Sequence, residues 1–241
     1  MALIDEFISS GNFLFKYRSF IPLVLFIITP VTFLFDKSHF ADSNDLHFFL
    51  LCLCISLFGL FIRIIAIGFS NKGTSGRNVN KQIADALNTD GIYSIVRHPL
   101  YLGNYFMWIG IILLTSNIWL IIVITLLFWI YYERIIFAEE YFLKNKFSEH
   151  YENWASKTPA IIPIFKNYLS PTNKFNFKEI IKREFYGLTA LAISMLFVNF
   201  IQNYFIFGKI YIKSFYLYFS ITSIFLFLIL RFLKKKTQIL N

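Results

Sequence analysis

The chain has 241 residues, of which 57% are hydrophobic and 20% aromatic, and only 15% are charged, against about 25% in ordinary soluble domains. This composition excludes an ordinary soluble domain and predicts an all-α fold, a polytopic bundle of transmembrane helices. The net charge of +9 does not indicate nucleic-acid binding, because the basic residues lie at the ends of apolar runs, where they set membrane topology.

A transmembrane helix needs about 20 apolar residues. Candidate spans cover residues 20–35, 46–69, 99–115, 118–137, 185–205 and 210–232. If the N-terminus is cytoplasmic, only Lys37, Lys209 and Lys213 of the 23 basic residues face outward. We therefore expect about six transmembrane helices with both termini cytoplasmic.

The polar segments between these runs divide the chain into three parts. Residues 1–86 hold two spans and a cytoplasmic loop, residues 87–165 hold a helical hairpin, and residues 166–241 hold a linker and two spans. Cys52 and Cys54 lie inside an apolar run, so we expect packing residues rather than a disulfide or a metal pair. We find no glycine-rich nucleotide-binding motif and no metal-ligand pattern.

The first motif is the stretch from Gly91 to Gly103, which reads G-I-Y-S-I-V-R-H-P-L-Y-L-G. It places Arg97 and His98 where a polar loop enters an apolar helix, and Pro99 suits the first turn of that helix. Charged groups at such a boundary are costly and mark functional sites. With the free N–H groups of the helix N-terminus, they predict a site for an anionic group.

The second motif is a carboxylate cluster at the end of the fourth apolar run. Glu133 and Glu140 share a helix face, and Glu139 lies one position around. The tight turn at 116–117 predicts a hairpin that brings these carboxylates to the level of Arg97. An ion-pair cluster that merely fixes the hairpin is the alternative interpretation.

The next two segments also show helical spacing. Phe147, Tyr151 and Trp154 occupy one face of a short helix that Pro159 ends. These three aromatic side chains either pack against the rest of the protein or cover a bound cofactor. Residues 175–185 alternate apolar and basic residues, which is typical of an interfacial helix or of a solvated linker.

Taken together, the two motifs resemble the integral membrane methyltransferase superfamily, which includes isoprenylcysteine carboxyl methyltransferases and phospholipid methyltransferases. The first block is matched by Gly91, Tyr93, Arg97, His98, Pro99, Tyr101 and Gly103, and the second by Glu139, Glu140, Leu143, Phe147, Tyr151 and Pro163. Two residues depart from the pattern: Ser148 stands where the family usually has glycine, and Trp154 where tyrosine is common. The basic residue often found near the last proline is absent.

The resemblance implies S-adenosylmethionine as the cofactor. It assigns cofactor contacts to His98, Tyr101, Gly103 and Glu139, and the orientation of acceptor and cofactor to Arg97 and Glu140. It implies no metal and no obligate protein partner. The acceptor would be a lipid or a lipid-attached group that reaches the site from the bilayer.

Three acceptor classes remain open: a lipid phosphate of the lipid A type, a phospholipid headgroup and a prenylated cysteine carboxylate. The polar loop 74–78, with Gln82 and Asn88, is rich in hydrogen-bond donors and favours a phosphate or another polar headgroup. A plain polar loop is the alternative. A sterol-type membrane reductase and a non-enzymatic scaffold are the competing classes. The topology fits a bacterial inner membrane and the endoplasmic reticulum alike, and of the two we expect the bacterial inner membrane.

Overall fold

The computed structural model describes residues 2–35, 45–71, 73–74 and 82–236. In these residues it is all-helical, with strand pairing limited to a bridge between Gly91 and Leu169. The helices are α1 (Leu3–Tyr17), α2 (Leu25–Phe35), α3 (Leu46–Gly68), α4 (Pro99–Leu113), α5 (Ile118–Ala155), α6 (Phe177–Phe207) and α7 (Ser214–Lys236). The predicted all-α class is confirmed.

Four helices, α3, α5, α6 and α7, are long and apolar enough to cross a membrane, and α4 is a shorter apolar helix. The chain is therefore an integral membrane protein. The first expected span consists of a 3₁₀ turn followed by α2, which has 11 residues and contains Pro30. Six spans with cytoplasmic termini therefore stay a prediction.

Helix boundaries differ from the expected ones at two places. The sequence pattern missed α1 altogether. Within the segment 175–185, residues 177–185 form the first turns of α6, where Glu179 and Arg183 form an ion pair one turn apart. The backbone of α5 leaves helical geometry at Ser148, so the expected aromatic stretch forms a second helical segment beyond a kink.

The predicted hairpin between α4 and α5 is present. Ser116 takes a positive φ of 50°, which reverses the chain. The side chain of Asn117 then caps α5, because its Oδ1 accepts a hydrogen bond from the Leu120 N–H at 2.9 Å. An asparagine that accepts a hydrogen bond from the N–H three residues later satisfies one of the unpaired donors of a helix N-terminus.

The helices form two compact units. One unit comprises residues 1–21, 65–102 and 126–176, and the other comprises residues 22–64, 103–125 and 177–241. Each unit draws on all three parts into which the polar segments divide the sequence. Helices α4 and α5 each contribute one end to the first unit and the other end to the second.

The second unit is held by an apolar core and by close backbone contact between α3 and α4. Its core includes Phe49, Met195 and Tyr216, all almost fully buried. A Cβ atom added at Gly59 would clash with the Gly103 carbonyl and would lie 2.6 Å from the Met107 nitrogen. Only glycine therefore permits this approach. Cys52 is buried, Cys54 is exposed, and both are free thiols.

One buried ion pair also belongs to the second unit. Arg63 on α3 forms a bidentate contact with Glu184 on α6, with N–O distances of 2.7 and 2.9 Å. Its Nη1 donates to Asn104 Oδ1 at 2.7 Å. Because a charge among apolar helices is costly without a partner, this contact ties α3, α4 and α6 together.

We expect Gly59→Ala to lower the thermal stability of the detergent-purified protein by about 1–3 kcal/mol, because the added methyl overpacks a backbone contact. The matched control is Gly187→Ala on α6. There the nearest neighbour of an added Cβ would be the Met107 Cε, 3.5 Å away, which is an ordinary contact. Equal melting temperatures for the two variants would contradict this packing.

Candidate functional site

The two sequence motifs meet in the first unit, where His98 lies between two carboxylates of α5. His98 Nε2 is 2.9 Å from Glu140 Oε1, and His98 Nδ1 is 3.5 Å from Glu139 Oε2. The side chain of His98 is only 6% exposed. An imidazole donates at both nitrogens only when it is protonated, so this arrangement favours the cation.

The protonation of His98 follows from a balance of opposing effects. Burial disfavours the charged ring. The hydrogen bonds to Glu139 and Glu140, together with the charges of these carboxylates, outweigh that cost and raise the pKa of His98 above its ordinary value. The histidine is therefore better suited to hold charge than to accept a proton at neutral pH.

Arg97 is fully engaged in holding the end of α5. Its Nε and Nη2 donate to the two oxygens of Glu140 at 2.7 and 3.2 Å. Its Nη1 donates to the carbonyls of Ala155 at 3.0 Å and Thr158 at 2.5 Å. Such a bidentate pair is strong and directional. Arg97 thus fixes Glu140 and closes the C-terminus of α5, which is a positioning role.

Tyr101 and Glu139 form the more accessible half of the cluster. The Tyr101 hydroxyl donates to Glu139 Oε2 at 2.9 Å, and its ring lies parallel to that of His98 with a centroid distance of 5.6 Å. The Tyr101 ring also contacts Tyr132, at 4.8 Å between centroids. The side chain of Glu139 is 30% exposed, so a bound molecule can reach it.

A strap after α5, residues 159–164, holds the R-H-P segment by backbone hydrogen bonds. The Arg97 N–H donates to the Pro159 carbonyl at 2.8 Å, and the His98 N–H donates to the Ala160 carbonyl at 3.2 Å. The Ile164 N–H donates to the Ile95 carbonyl at 3.0 Å. The first two pairs rise together in number whereas the third does not, so the strap contacts the motif without a regular strand register.

The start of α4 has fewer free backbone N–H donors for an anion than the sequence pattern predicts. Pro99 has no N–H, and the N–H groups of Tyr101 and Leu102 both donate to the His98 carbonyl. The predicted anion site at the helix end therefore has few backbone donors left. Anion recognition has to rest on side chains.

The two departures from the family pattern have structural reasons. Ser148 adopts φ 45° and ψ −118°, a region that favours glycine because it has no Cβ. The indole of Trp154 donates from Nε1 to the Tyr93 carbonyl at 2.9 Å. Trp154 thus ties the end of α5 directly to the first motif.

We expect Ser148→Gly to raise the stability of the protein by about 1 kcal/mol, because it relieves a strained backbone conformation. Ser148 is exposed, so the change removes no buried contact. Ser148→Ala keeps the Cβ and should give no gain. Thermal unfolding in detergent measures both, and a gain in the alanine variant would contradict the strain argument.

The remaining candidate residues lie apart from the cluster. Gly103 belongs to the second unit, where a Cβ would clash with the Gly59 carbonyl and with Arg63, so its close packing explains the glycine. Its cofactor role stays a prediction. Glu133 is exposed and lies outside the cluster.

Most of the predicted headgroup loop, including Arg77, falls at 75–81 and lies outside the described residues. At the edges of that range the polar groups bond to one another or to α1. Asn88 Nδ2 donates to Thr74 Oγ1 at 2.9 Å, and Gln82 Nε2 donates to Asn12 Oδ1 at 3.3 Å. This favours the plain polar loop for the described part.

The raised pKa of His98 predicts a pH-dependent stability. The pKa of His98 is higher in the folded than in the unfolded chain. The contribution of His98 to the stability of the fold is therefore fully present below the ordinary histidine pKa of about 6.5, and it is lost as the pH rises through the pKa of the folded chain. The carboxylates that raise the pKa of His98 are Glu139 and Glu140, which lie opposite its ring. We expect the melting temperature to fall over that range in the wild type but not in His98→Gln. Parallel curves for the two proteins would contradict the assignment.

Residues 47–150 match the phospholipid methyltransferase family. This segment contains the R-H-P motif, the α4–α5 hairpin and both glutamates of the cluster. Over this segment, which is less than half of the chain, the protein is similar to the integral membrane methyltransferase family. The predicted resemblance is confirmed.

The chain is similar to Protein-S-isoprenylcysteine O-methyltransferase of Schizosaccharomyces pombe, with 33% identity over 46% of this chain and 47% of the yeast protein. It is also similar to the cobalt-zinc-cadmium resistance protein CzcN of Cupriavidus metallidurans, with 29% identity over 65% of this chain and 68% of that protein. The chain thus spans about half the length of its yeast methyltransferase relative. No solved structure matches the chain.

Proposed function

We propose that this protein is an S-adenosylmethionine-dependent methyltransferase that acts on an acceptor held in, or attached to, the membrane. The observation that carries the proposal is the cluster of His98, Tyr101 and Glu139 beside apolar helices, inside the segment that the family matches. We further propose that both termini are cytoplasmic, which the positions of the basic residues support, and that the membrane is a bacterial inner membrane.

The residues of the cluster fit the cofactor. S-adenosylmethionine carries an ammonium group, hydroxyl groups and a sulfonium. Glu139 uses Oε2 for Tyr101 and His98 and is partly exposed, so its carboxylate can also accept hydrogen bonds from an ammonium or from ribose hydroxyls. The face of the Tyr101 ring suits a sulfonium, because cations are attracted to aromatic faces. When bound, the cofactor supplies a methyl group on a positively charged sulfur.

The chain's own residues contribute mainly alignment. Methyl transfer from sulfur is a displacement in line, and correct placement of the partners supplies much of its rate. Arg97 and His98 together hold Glu140, and the Tyr101 hydroxyl and His98 hold Glu139. A rigid pair of carboxylates of this kind keeps the cofactor-facing groups in one geometry.

The acceptor that suits this site is an anionic oxygen. An amine acceptor needs a general base, but both ring nitrogens of His98 face carboxylates and Glu140 is already paired with Arg97 and His98. A carboxylate or a phosphate needs no base. The names of the isoprenylcysteine O-methyltransferase relatives support a prenylated cysteine carboxylate, and a lipid phosphate is the second candidate.

Calorimetry with S-adenosylmethionine on the detergent-purified protein tests the proposal. We expect saturable binding that Glu139→Gln weakens by roughly tenfold or more, because a charge-assisted hydrogen bond is lost. Glu133→Gln, an exposed glutamate on the same helix, is the matched control and should bind as the wild type does.

A folded wild type that does not bind the cofactor would overturn the proposal. That result would favour the scaffold or the sterol-type reductase. Equal losses in the Glu139 and Glu133 variants would show that the binding site lies elsewhere on the chain.

A further inference from the structure

The start of α6 and the end of α7 are strongly basic. Residues 177–184 contain three basic and two acidic residues, and residues 231–236 contain four basic residues and no acidic one. The seven basic residues of these two segments are Lys178, Lys182, Arg183, Arg231, Lys234, Lys235 and Lys236. Seven positive and two negative side chains give the two segments, here called the basic end, a formal charge of +5.

The two helices run antiparallel, and their contacts bring both segments to the same end of the pair. Along the helices, Ser220 Oγ donates to the Ala192 carbonyl at 3.1 Å. Nearer the start of α6, the rings of Phe185 and Phe227 are 5.4 Å apart. Residue numbers fall along α6 as they rise along α7, so the first turns of α6 lie beside the last turns of α7.

Lys234 joins the two segments directly. Its Nζ donates to the Lys182 carbonyl at 3.1 Å and lies 5.4 and 5.9 Å from the centres of the Tyr186 and Phe185 rings. Both distances fall within the range in which a cation is attracted to an aromatic face. An ammonium of α7 is therefore held against the first turns of α6, which places positive charges of both helices side by side.

The two acidic residues of the basic end both have arginine partners. Glu184 pairs with Arg63 on α3, and Glu179 pairs with Arg183 one turn away. Positive charge at this end therefore exceeds negative charge by the +5 of its formal charges. Like charges repel more strongly where the surroundings are less polar than water, so an anion bound at this end lowers the energy of the helix pair.

The basic end lies where two apolar spans pass into polar sequence. Helices α6 and α7 are both long and apolar enough to cross a membrane, and Lys178, Arg231, Lys235 and Lys236 are exposed. Basic and aromatic residues at the end of a span lie at the level of the lipid headgroups. Clusters of about four to eight basic residues in that position attract anionic lipids.

We propose that the basic end of α6 and α7 binds the phosphate groups of anionic phospholipids. A lipid bound there bridges the two helices and stabilises their pairing. The inference is independent of the proposed methyltransferase function, because both helices lie outside residues 47–150, the segment that the family matches. It gives these two helices a role in anchoring the protein to a charged membrane surface.

The test uses the full chain in a neutral detergent. Short-chain phosphatidylglycerol is the anionic lipid, phosphatidylcholine of the same chain length is the neutral one, and inorganic phosphate tells a lipid site from a site for the free ion. Native mass spectrometry measures binding, and thermal unfolding measures stabilisation. Lys234→Gln removes one charge from the basic end, and Lys234→Arg keeps it. The matched control is Lys209→Gln, which removes an exposed charge just beyond the opposite end of α6.

We expect phosphatidylglycerol to bind and to raise the melting temperature, and phosphatidylcholine and phosphate to do neither. Lys234→Gln should weaken phosphatidylglycerol binding roughly fivefold, the contribution of one basic residue near an anionic surface. The double variant Lys182→Gln/Lys234→Gln should weaken it roughly twentyfold. Lys234→Arg and Lys209→Gln should bind as the wild type does, and added salt should lower the affinity, because exposed charges are screened.

Lys235→Gln/Lys236→Gln is a second variant that keeps the contact of Lys234 with the aromatic rings. Both residues are exposed, so this variant should fold as the wild type does and still lose phosphatidylglycerol affinity.

Three results would overturn the inference: equal binding of the anionic and the neutral lipid, an unchanged affinity in Lys235→Gln/Lys236→Gln, and equal losses in Lys234→Gln and Lys209→Gln. Phosphate binding as tight as that of the lipid would likewise replace the lipid site by a site for a free ion. Glu139→Gln should leave phosphatidylglycerol binding unchanged, and a loss in that variant would assign the lipid to the cluster of the first unit instead.

Discussion

The pairing of Glu140 with both Arg97 and His98 is the interaction on which the rest of the first unit depends. Charged groups among apolar helices are tolerated only with partners, so this pairing fixes the start of α4 against α5. The same guanidinium holds the carbonyls at the end of α5, and the strap that follows pairs with the R-H-P segment. One ion pair therefore sets the positions of a helix start, a helix end and a loop.

The two glutamates of the cluster differ in their partners and in their exposure to solvent. The Arg97–Glu140 pair is largely shielded and saturated, with side chains 15% and 24% exposed, and it provides rigidity. Glu139 contacts Tyr101 and His98 through one oxygen and is 30% exposed. Rigid support beneath an accessible group is what a reaction governed by alignment requires.

Local sequence patterns predicted the apolar spans α3, α5, α6 and α7 and the meeting of the two motifs, since span length and charge position are local properties. They could not reveal that α1 packs along α5, because that packing depends on contacts with Phe137, Arg134 and Tyr131 that are distant in sequence. Nor could they show that Arg97 is saturated, because two of its partners are backbone carbonyls. They also could not place the kink of α5 at Ser148, because a serine does not by itself indicate a non-helical backbone conformation.

The strap along the R-H-P segment joins it through main-chain atoms, as the Pro159, Ala160 and Ile164 hydrogen bonds show. Its side chains are therefore not needed for that pairing, and Ile162 in the strap and Phe165 just after it are 78% and 75% exposed. Sequence can drift there while the charged cluster beneath keeps its geometry. A directed library confined to these positions would therefore alter the surface next to the cluster at little cost in folding.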